Sequence, residues 1–311
     1  MKRAPRPAVS IVATAFFLAL SQLAWGAAGA AFAQASVPGA ISRPVNSLPA
    51  KPAAWPQSAW VKGSNSAVRM IGGAEPSARG GKRLVVGIEV VLGDGWKTYW
   101  RHPGDDGGLP PVFVLDQSRN LKSASVMYPV PERIKSLNGT AIGYTKAVTF
   151  PVEIEAADPS KPVEVFVQLE YGICREICIP VEAQLTLVLE PRLASMPPEL
   201  ASSLARVPTV VSGAAVGQVL KSAKAVLTGP HPAITFEIAA AAAGERPDLF
   251  VEPATGSYLP VPVKAGDMVG GVQRFHIDLE GVDDLPKLAG QKLRLTVTGT
   301  TGGSEVEWLV K

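Results

Sequence analysis

The sequence predicts an all-β protein built as two antiparallel β-sandwiches in series, the second smaller than the first. Three observations carry this. Leu84, Val86, Ile88, Val90 and Leu92 alternate with Val85, Gly87, Glu89 and Val91, the period of a strand with one strongly buried face. Further apolar runs recur between clusters of Gly, Pro, Asn and Asp, the spacing of a sandwich. A Pro-containing break at 191–211 divides these runs into two groups.

Taken in order, the first residues read as an export signal. Lys2, Arg3 and Arg6 form a positive region, 8–20 an apolar one, and Ala33-Gln34-Ala35 an A-x-A cleavage site. The competing reading is an uncleaved anchor, since the weakly apolar stretch runs on through 25–32 and approaches the roughly 20 residues that span a bilayer. Gly, Ala, Ser and Gln dilute its second half, which favours cleavage after Ala35 and a periplasmic location. The three basic residues account for the whole formal charge of +3, so residues 36–311 are formally neutral. With no basic block or aromatic-interleaved basic stripe, nucleic acid is not an expected partner.

Residues 36–57, rich in Pro, Ala and Ser, read as a flexible leader. The first domain is expected at 58–192, with Gly93-Asp94-Gly95 as a turn after the strand at 84–92 and further strands at 112–115, 148–154, 163–173 and 183–189. A linker at 193–212 holds a short helix, because Pro197-Pro198-Glu199 precedes Leu200-Ala201-Ser202-Ser203-Leu204-Ala205 and Pro suits a first helical turn. The second domain, 213–311, takes strands at 234–238, 249–252, 274–279, 293–297 and 306–310. It holds no cysteine.

The chemistry-bearing segment is Tyr171-Gly172-Ile173-Cys174-Arg175-Glu176-Ile177-Cys178-Ile179-Pro180. The strands on either side should form a hairpin with Arg175-Glu176-Ile177 as its connection, placing Cys174 opposite Cys178. Cα atoms about 5 Å apart at such a tip suit a disulfide. A helix also puts i and i+4 on one face, but Gly172, Pro180 and the β-rich flanks oppose it. Two readings of the pair compete. A structural staple is the usual fate of cysteines behind a signal peptide, yet closing so short a loop contributes only about 2 kcal/mol. A pair at a hairpin tip is open to an incoming thiolate, and each sulfur can attack or resolve. Arg175 favours a thiolate and Glu176 opposes one, so the local charges fix neither sulfur's acidity.

Over about 60–190 the chain resembles the amino-terminal, immunoglobulin-like domain of the DsbD and ScsB family of periplasmic thiol–disulfide interchange proteins, the disulfide-bond corrector domains. The resemblance rests on Gly95-Trp96-Lys97-Thr98-Tyr99-Trp100-Arg101-His102-Pro103-Gly104-Asp105, on Tyr128-Pro129-Val130-Pro131-Glu132-Arg133, on Gly143-Tyr144 with Phe150-Pro151-Val152, and on the cysteine hairpin, in that order. It implies an immunoglobulin-like sandwich followed by the second one, and a protein-disulfide reductase or interchange partner. Cys174 and Cys178 would be its catalytic residues, with no cofactor or metal. A membrane electron carrier or thioredoxin-like protein would donate electrons, and periplasmic disulfide proteins would accept them.

The resemblance further implies that Cys178 bonds to the partner and Cys174 resolves. No segment beyond the first is long and apolar enough to span a membrane, so a free-standing shuttle is expected. In reductase members a covering loop carries an acidic pair and an aromatic cap; the matching residues here are Lys135, Ser136 and Leu137. Leu137 is thus the expected cover of the cysteines, with Tyr99 or Trp100 as substitutes. The C-x3-C spacing is closer to ScsB-like members.

Other signals are plainer. Asp105 and Asp106 sit in Gly104-Asp105-Asp106-Gly107-Gly108, which a Gly-rich turn explains without a metal, since no ligand series follows. Trp96, Tyr99 and Trp100 read first as core or rim. His102 has no partner in a nucleophile motif, and no G-x-S-x-G or phosphate-cradling loop occurs. Two function classes remain: disulfide exchange through the cysteine pair, or an immunoglobulin-like binding or assembly module with an inert disulfide.

Overall fold

The computed structural model describes residues 55–77, 81–136, 139–253, 258–299 and 302–311. The expected signal segment and most of the expected leader lie outside the described residues. The alternating run at 84–92 forms β3 (Lys82–Leu92), which follows β1 (Val61–Lys62) and β2 (Ser66–Pro76). Next come β4 (Lys97–Gly104), β5 (Val112–Val114), β6 (Leu121–Val126), β7 (Glu132–Ser136), β8 (Gly139–Thr145) and β9 (Ala147–Ala156). β10 (Val163–Cys174) and β11 (Cys178–Leu189) complete the first set. They build two antiparallel sheets, β1-β2-β3-β9-β6 and β11-β10-β4-β8-β7, with β5 also paired to β10.

Val86, Ile88 and Val90 of β3, Phe150 and Val152 of β9, and Val165, Val167 and Leu169 of β10 share the core between the sheets. β3 is buried on both faces, because Val85 packs with Ile71 and Leu200 on the outer side. Leu200 belongs to α1 (Pro198–Ala205), whose Ser203 hydroxyl donates to the Thr149 carbonyl. The helix of the expected linker therefore lies on the first sandwich as a lid. Gly87 leaves room for it: a Cβ there would come within 2.8 Å of Leu200 Cδ1. Trp55 Nε1 donates to Ser195 Oγ at 3.0 Å and Gly72 N to the Pro56 carbonyl at 2.8 Å. Packing against the sandwich thus begins before the expected end of the leader.

The second sandwich contains β12 (Thr209–Val210), β13 (Leu220–Val226), β14 (Ala233–Ala239), β15 (Asp248–Pro253), β16 (Val263–Lys264), β17 (Val272–Asp278), β18 (Lys292–Gly299) and β19 (Gly302–Leu309). Its sheets run β12-β19-β18-β15, with β12 parallel to β19, and β13-β14-β17-β16. Ile234, Phe236, Phe275, Ile277, Leu293 and Leu295 form its core.

The described residues all fall in one compact unit, and the contact between the sandwiches is partly apolar and partly charged. Phe250 and Val261 of the second join the core of the first, with the Phe250 ring 5.8 Å from that of Trp100. Arg101, stacked on Trp100 at 4.5 Å, grips both Glu252 oxygens and reaches Glu305. This holds its guanidinium protonated despite burial. Arg133 pairs with Asp248 at 2.7 Å and donates to the Leu249 carbonyl at 2.8 Å. Among the described residues no helix is long and apolar enough to cross a membrane.

Candidate functional site

β10 and β11 pair without interruption from Val163↔Leu189 to Cys174↔Cys178, so the register set by their alternating apolar faces delivers the two cysteines opposite one another. They are joined as a disulfide with Cα atoms 4.1 Å apart. Arg175-Glu176-Ile177 closes the hairpin, Arg175 N donating to the Ile177 carbonyl at 3.2 Å, and Ile177 is 69% exposed. The two sulfurs differ in surroundings. Cys174 is 2% exposed and packs with Tyr99, Ala141 and Ile134, whereas Cys178 is exposed.

The covering of Cys174 comes from β4, which pairs with β10 at Ile173↔Thr98 and Cys174↔Lys97. Strand alternation sends Lys97 and Tyr99 to the outer face beside the sulfurs and Trp100 to the core with Phe250. Of the two aromatic candidates, only Tyr99 meets the disulfide. Its hydroxyl donates to Cys174 Sγ at 2.9 Å and lies 3.4 Å from Cys178 Sγ. Burial, and then the charge and hydrogen bond of Asp106, push the phenol up to about 12, so Tyr99 keeps its proton near neutrality.

Asp106 lies 3.5 Å from the Tyr99 hydroxyl and 3.0 Å from Lys97 Nζ, in an ion pair whose side chains are 7% and 8% exposed. Lys97 also donates to Ser136 Oγ at 2.8 Å. Burial alone would raise the Asp106 carboxyl, but hydrogen bonds from Lys97 and Ser136 outweigh it and hold the group below the ordinary carboxylate value. The one Tyr99 proton has two acceptors in reach. Of these the Cys174 sulfur, at 2.9 Å against 3.5 Å for the Asp106 oxygen, is the nearer.

Two glycines make this arrangement possible. Gly104, at φ +84, turns the chain out of β4 where a Cβ would strike the Thr140 carbonyl at 2.4 Å. Gly108, at φ +133, lies flat on the Tyr99 ring, where a Cβ would come within 2.3 Å of Cζ. The loop then reaches β10, Gly172 N donating to the Leu109 carbonyl at 3.0 Å.

Leu137, the expected cover, lies outside the described residues; of its neighbours, Ser136 takes part through Lys97. Asp106 and Lys97 were not among the expected site residues. The Gly-Asp-Asp-Gly-Gly run marked a turn, but nothing in one sequence says that the second aspartate folds back onto a lysine nine positions earlier. His102 is half-buried beside Asp105 and Glu252, and burial lowers its pKa below the ordinary value despite those charges. It does not join the cysteines. Among the described residues no group of three or more His, Cys, Asp or Glu is placed to hold a metal.

With this geometry in view, the comparisons are specific. Residues 74–190 match the family profile described as "Thiol:disulfide interchange protein DsbD, N-terminal". Residues 74–190 thus form a DsbD-type N-terminal domain. That stretch contains β4, the Gly104–Gly108 turn and both cysteines of the hairpin. A crystal structure of the N-terminal periplasmic domain of ScsB from Proteus mirabilis superposes with a TM-score of 0.60 at 20% identity, over 82% of this chain and 98% of that one. The shared fold therefore extends beyond the DsbD-type domain into the second sandwich. No curated protein matches the sequence significantly.

Proposed function

We propose that the Cys174–Cys178 pair exchanges disulfides with thiol proteins in the periplasm, taking electrons from a membrane carrier or thioredoxin-like donor and passing them to disulfide-bonded acceptors. One observation carries this reading: the sulfurs of one disulfide are inequivalent, Cys178 open to solvent and Cys174 buried under a hydroxyl that donates to it. A staple needs no such asymmetry.

In this scheme a donor thiolate attacks Cys178 Sγ, the Cys174–Cys178 bond breaks, and its electron pair leaves on Cys174. The donor sulfur is then bonded to Cys178. The Tyr99 hydroxyl is placed to hydrogen-bond the sulfur that takes the charge. The donor's second thiolate attacks its own sulfur in the mixed disulfide and frees Cys178, leaving an oxidised donor and a reduced pair. Toward an acceptor, Cys178 attacks the acceptor disulfide and expels one thiolate. Cys174 then attacks Cys178, re-forming the original bond and releasing the second.

The test follows from the division of labour. Cys174→Ser should accumulate covalent adducts with thioredoxin-like or membrane thiol proteins, seen on a non-reducing gel and lost on reduction, and Cys178→Ser should give few. The wild-type potential should lie above about −300 mV, where structural disulfides are rarely found. A lower potential together with no adduct from either variant would overturn the reading in favour of an inert disulfide.

A further inference from the structure

The Gly104–Gly108 loop carries two adjacent carboxylates that face opposite ways. Asp106 turns inward to Lys97 and the Tyr99 hydroxyl. Asp105 turns outward: its Oδ1 accepts from the Tyr258 hydroxyl at 3.0 Å and from Val261 N at 2.9 Å, both in the second sandwich. Only one peptide unit separates a contact with the second sandwich from a contact with the site. The loop has few other anchors. Asp105 N donates to the Thr140 carbonyl at 2.9 Å, Asp106 N makes a long contact of 3.5 Å to the same oxygen, Gly107 N turns back to the Gly104 carbonyl at 3.4 Å, and the next tie to another element is Leu109 to Gly172. Gly107 and Gly108, which adopt positive φ between these ties, impose no stiffness of their own.

The Asp105 contact is not what joins the sandwiches. Arg101 with Glu252 and Glu305, Arg133 with Asp248, and the apolar contact of Phe250 with Trp100 already do so. Tyr258 is 54% exposed, so its hydroxyl contributes little packing there. What the contact does fix is the loop that lies on the Tyr99 ring. We infer that Asp105 is a positioning residue through which the second sandwich, by Tyr258 and the Val261 amide, clamps this loop over Tyr99 and keeps Cys174 covered. The bearing of the clamp on exchange rests on the function proposed above. Because coupling between two sites is reciprocal, a second sandwich that sets the cover of Cys174 is itself sensitive to whether Cys174 is bonded.

The experiment reads each cysteine separately. The full protein is chemically reduced, alkylated under native conditions, and scored by peptide mass spectrometry. Asp105→Ala should speed Cys174 alkylation roughly tenfold, the scale of losing one or two hydrogen bonds that hold a loop closed. Cys178, already exposed, should change less than about twofold. Asp105→Asn keeps an acceptor at Oδ1 and should restore the slow rate, and Tyr258→Phe, which removes one donor, should give about a threefold rise. Asp248→Ala, which breaks a different contact between the sandwiches, should leave Cys174 slow. Equal acceleration by Asp248→Ala and Asp105→Ala would overturn the clamp, as would an unchanged Cys174 rate in a folded Asp105→Ala protein. Should Asp105→Ala fail to fold, Tyr258→Phe decides: no acceleration there overturns the proposal. Alkylation of the reduced protein needs no exchange partner. An exchange-inert wild type would therefore refute the proposed function alone, and a clamp that fails leaves exchange standing.

Discussion

In the second sandwich, strand alternation accounts for nearly all that is buried: Ile234, Phe236 and Ile238 of β14 share one core with Leu293, Leu295 and Val297 of β18. Its buried polar side chains serve turns or the junction, with Glu245 accepting from Ala242 N, Gln273 donating to the Gly266 and Arg274 carbonyls, and Thr296 meeting Arg101. The first sandwich has an equally ordinary core, but it also buries an ion pair, a phenol hydroxyl and a sulfur on the outer face of one sheet. Those groups come from β4, the loop after it and β10, so no local backbone need explains them. Burying charge is expensive unless it is paired, and perturbed, paired groups collect where a fold serves chemistry. The difference separates a region built to hold together from one built to hold a site.

The largest expected effect tests the first half of that contrast. Phe236 is fully buried and stacks edge-on against Trp308 at 5.4 Å. Phe236→Ala should lower the stability of the second sandwich by about 3–5 kcal/mol, measured by chemical denaturation. Below the onset of that transition, alkylation of Cys178 should match wild type. A changed Cys178 rate in the folded variant would mean that the two regions are less separate than their cores suggest.

Next in size is the buried ion pair. Lys97→Met should cost about 3 kcal/mol at neutral pH, since it leaves Asp106 buried without its cation. The pH dependence gives the sign. In the wild type the Asp106 carboxyl is held below its ordinary value, so its contribution is complete above about pH 4 and is lost as pH falls through the lowered value. In Lys97→Met burial dominates and the carboxyl rises. The deficit relative to wild type should therefore shrink on acidification, as Asp106 becomes protonated in both. A deficit that stays constant with pH would mean that Lys97 acts by packing and not by charge.

The sequence was most informative where structure is local and periodic. β10 and β11 were legible down to the pairing of Cys174 with Cys178, because both strands alternate cleanly and the connection is short. β13 was missed: Lys221, Ser222 and Lys224 give this edge strand little apolar signal. β4 was seen only as a motif, since its Lys97, Arg101 and His102 are buried or half-buried by partners far along the chain. The placement of α1 on β3 was likewise hidden, although the helix itself was signalled by its prolines. At the site the cysteine pair and Tyr99 could be named as candidates, whereas the Asp106–Lys97 pair and the Asp105–Tyr258 contact depend on tertiary folding. Trp100 shows how a one-residue shift along a strand exchanges one sheet face for the other.

The smallest effect is the one that speaks most directly to the sulfurs. Tyr99→Phe removes a hydroxyl and keeps the ring that packs against Gly108, so stability should change by about 1 kcal/mol or less, the usual net value of one hydrogen bond. The chemistry should respond more clearly. A hydroxyl that donates to sulfur stabilises a thiolate more than a thiol, and losing one such bond to a charged acceptor is worth roughly one pH unit. The pH midpoint for alkylation of Cys174 in the reduced protein should therefore rise by about one unit in Tyr99→Phe. Cys178, 3.4 Å from the same oxygen and open to water, should move by less than half that amount because solvent replaces the lost donor. Equal shifts at both cysteines would indicate that Tyr99 acts through the general electrostatics of the face. A shift confined to Cys174 would tie the inequivalence of the two sulfurs to this hydroxyl.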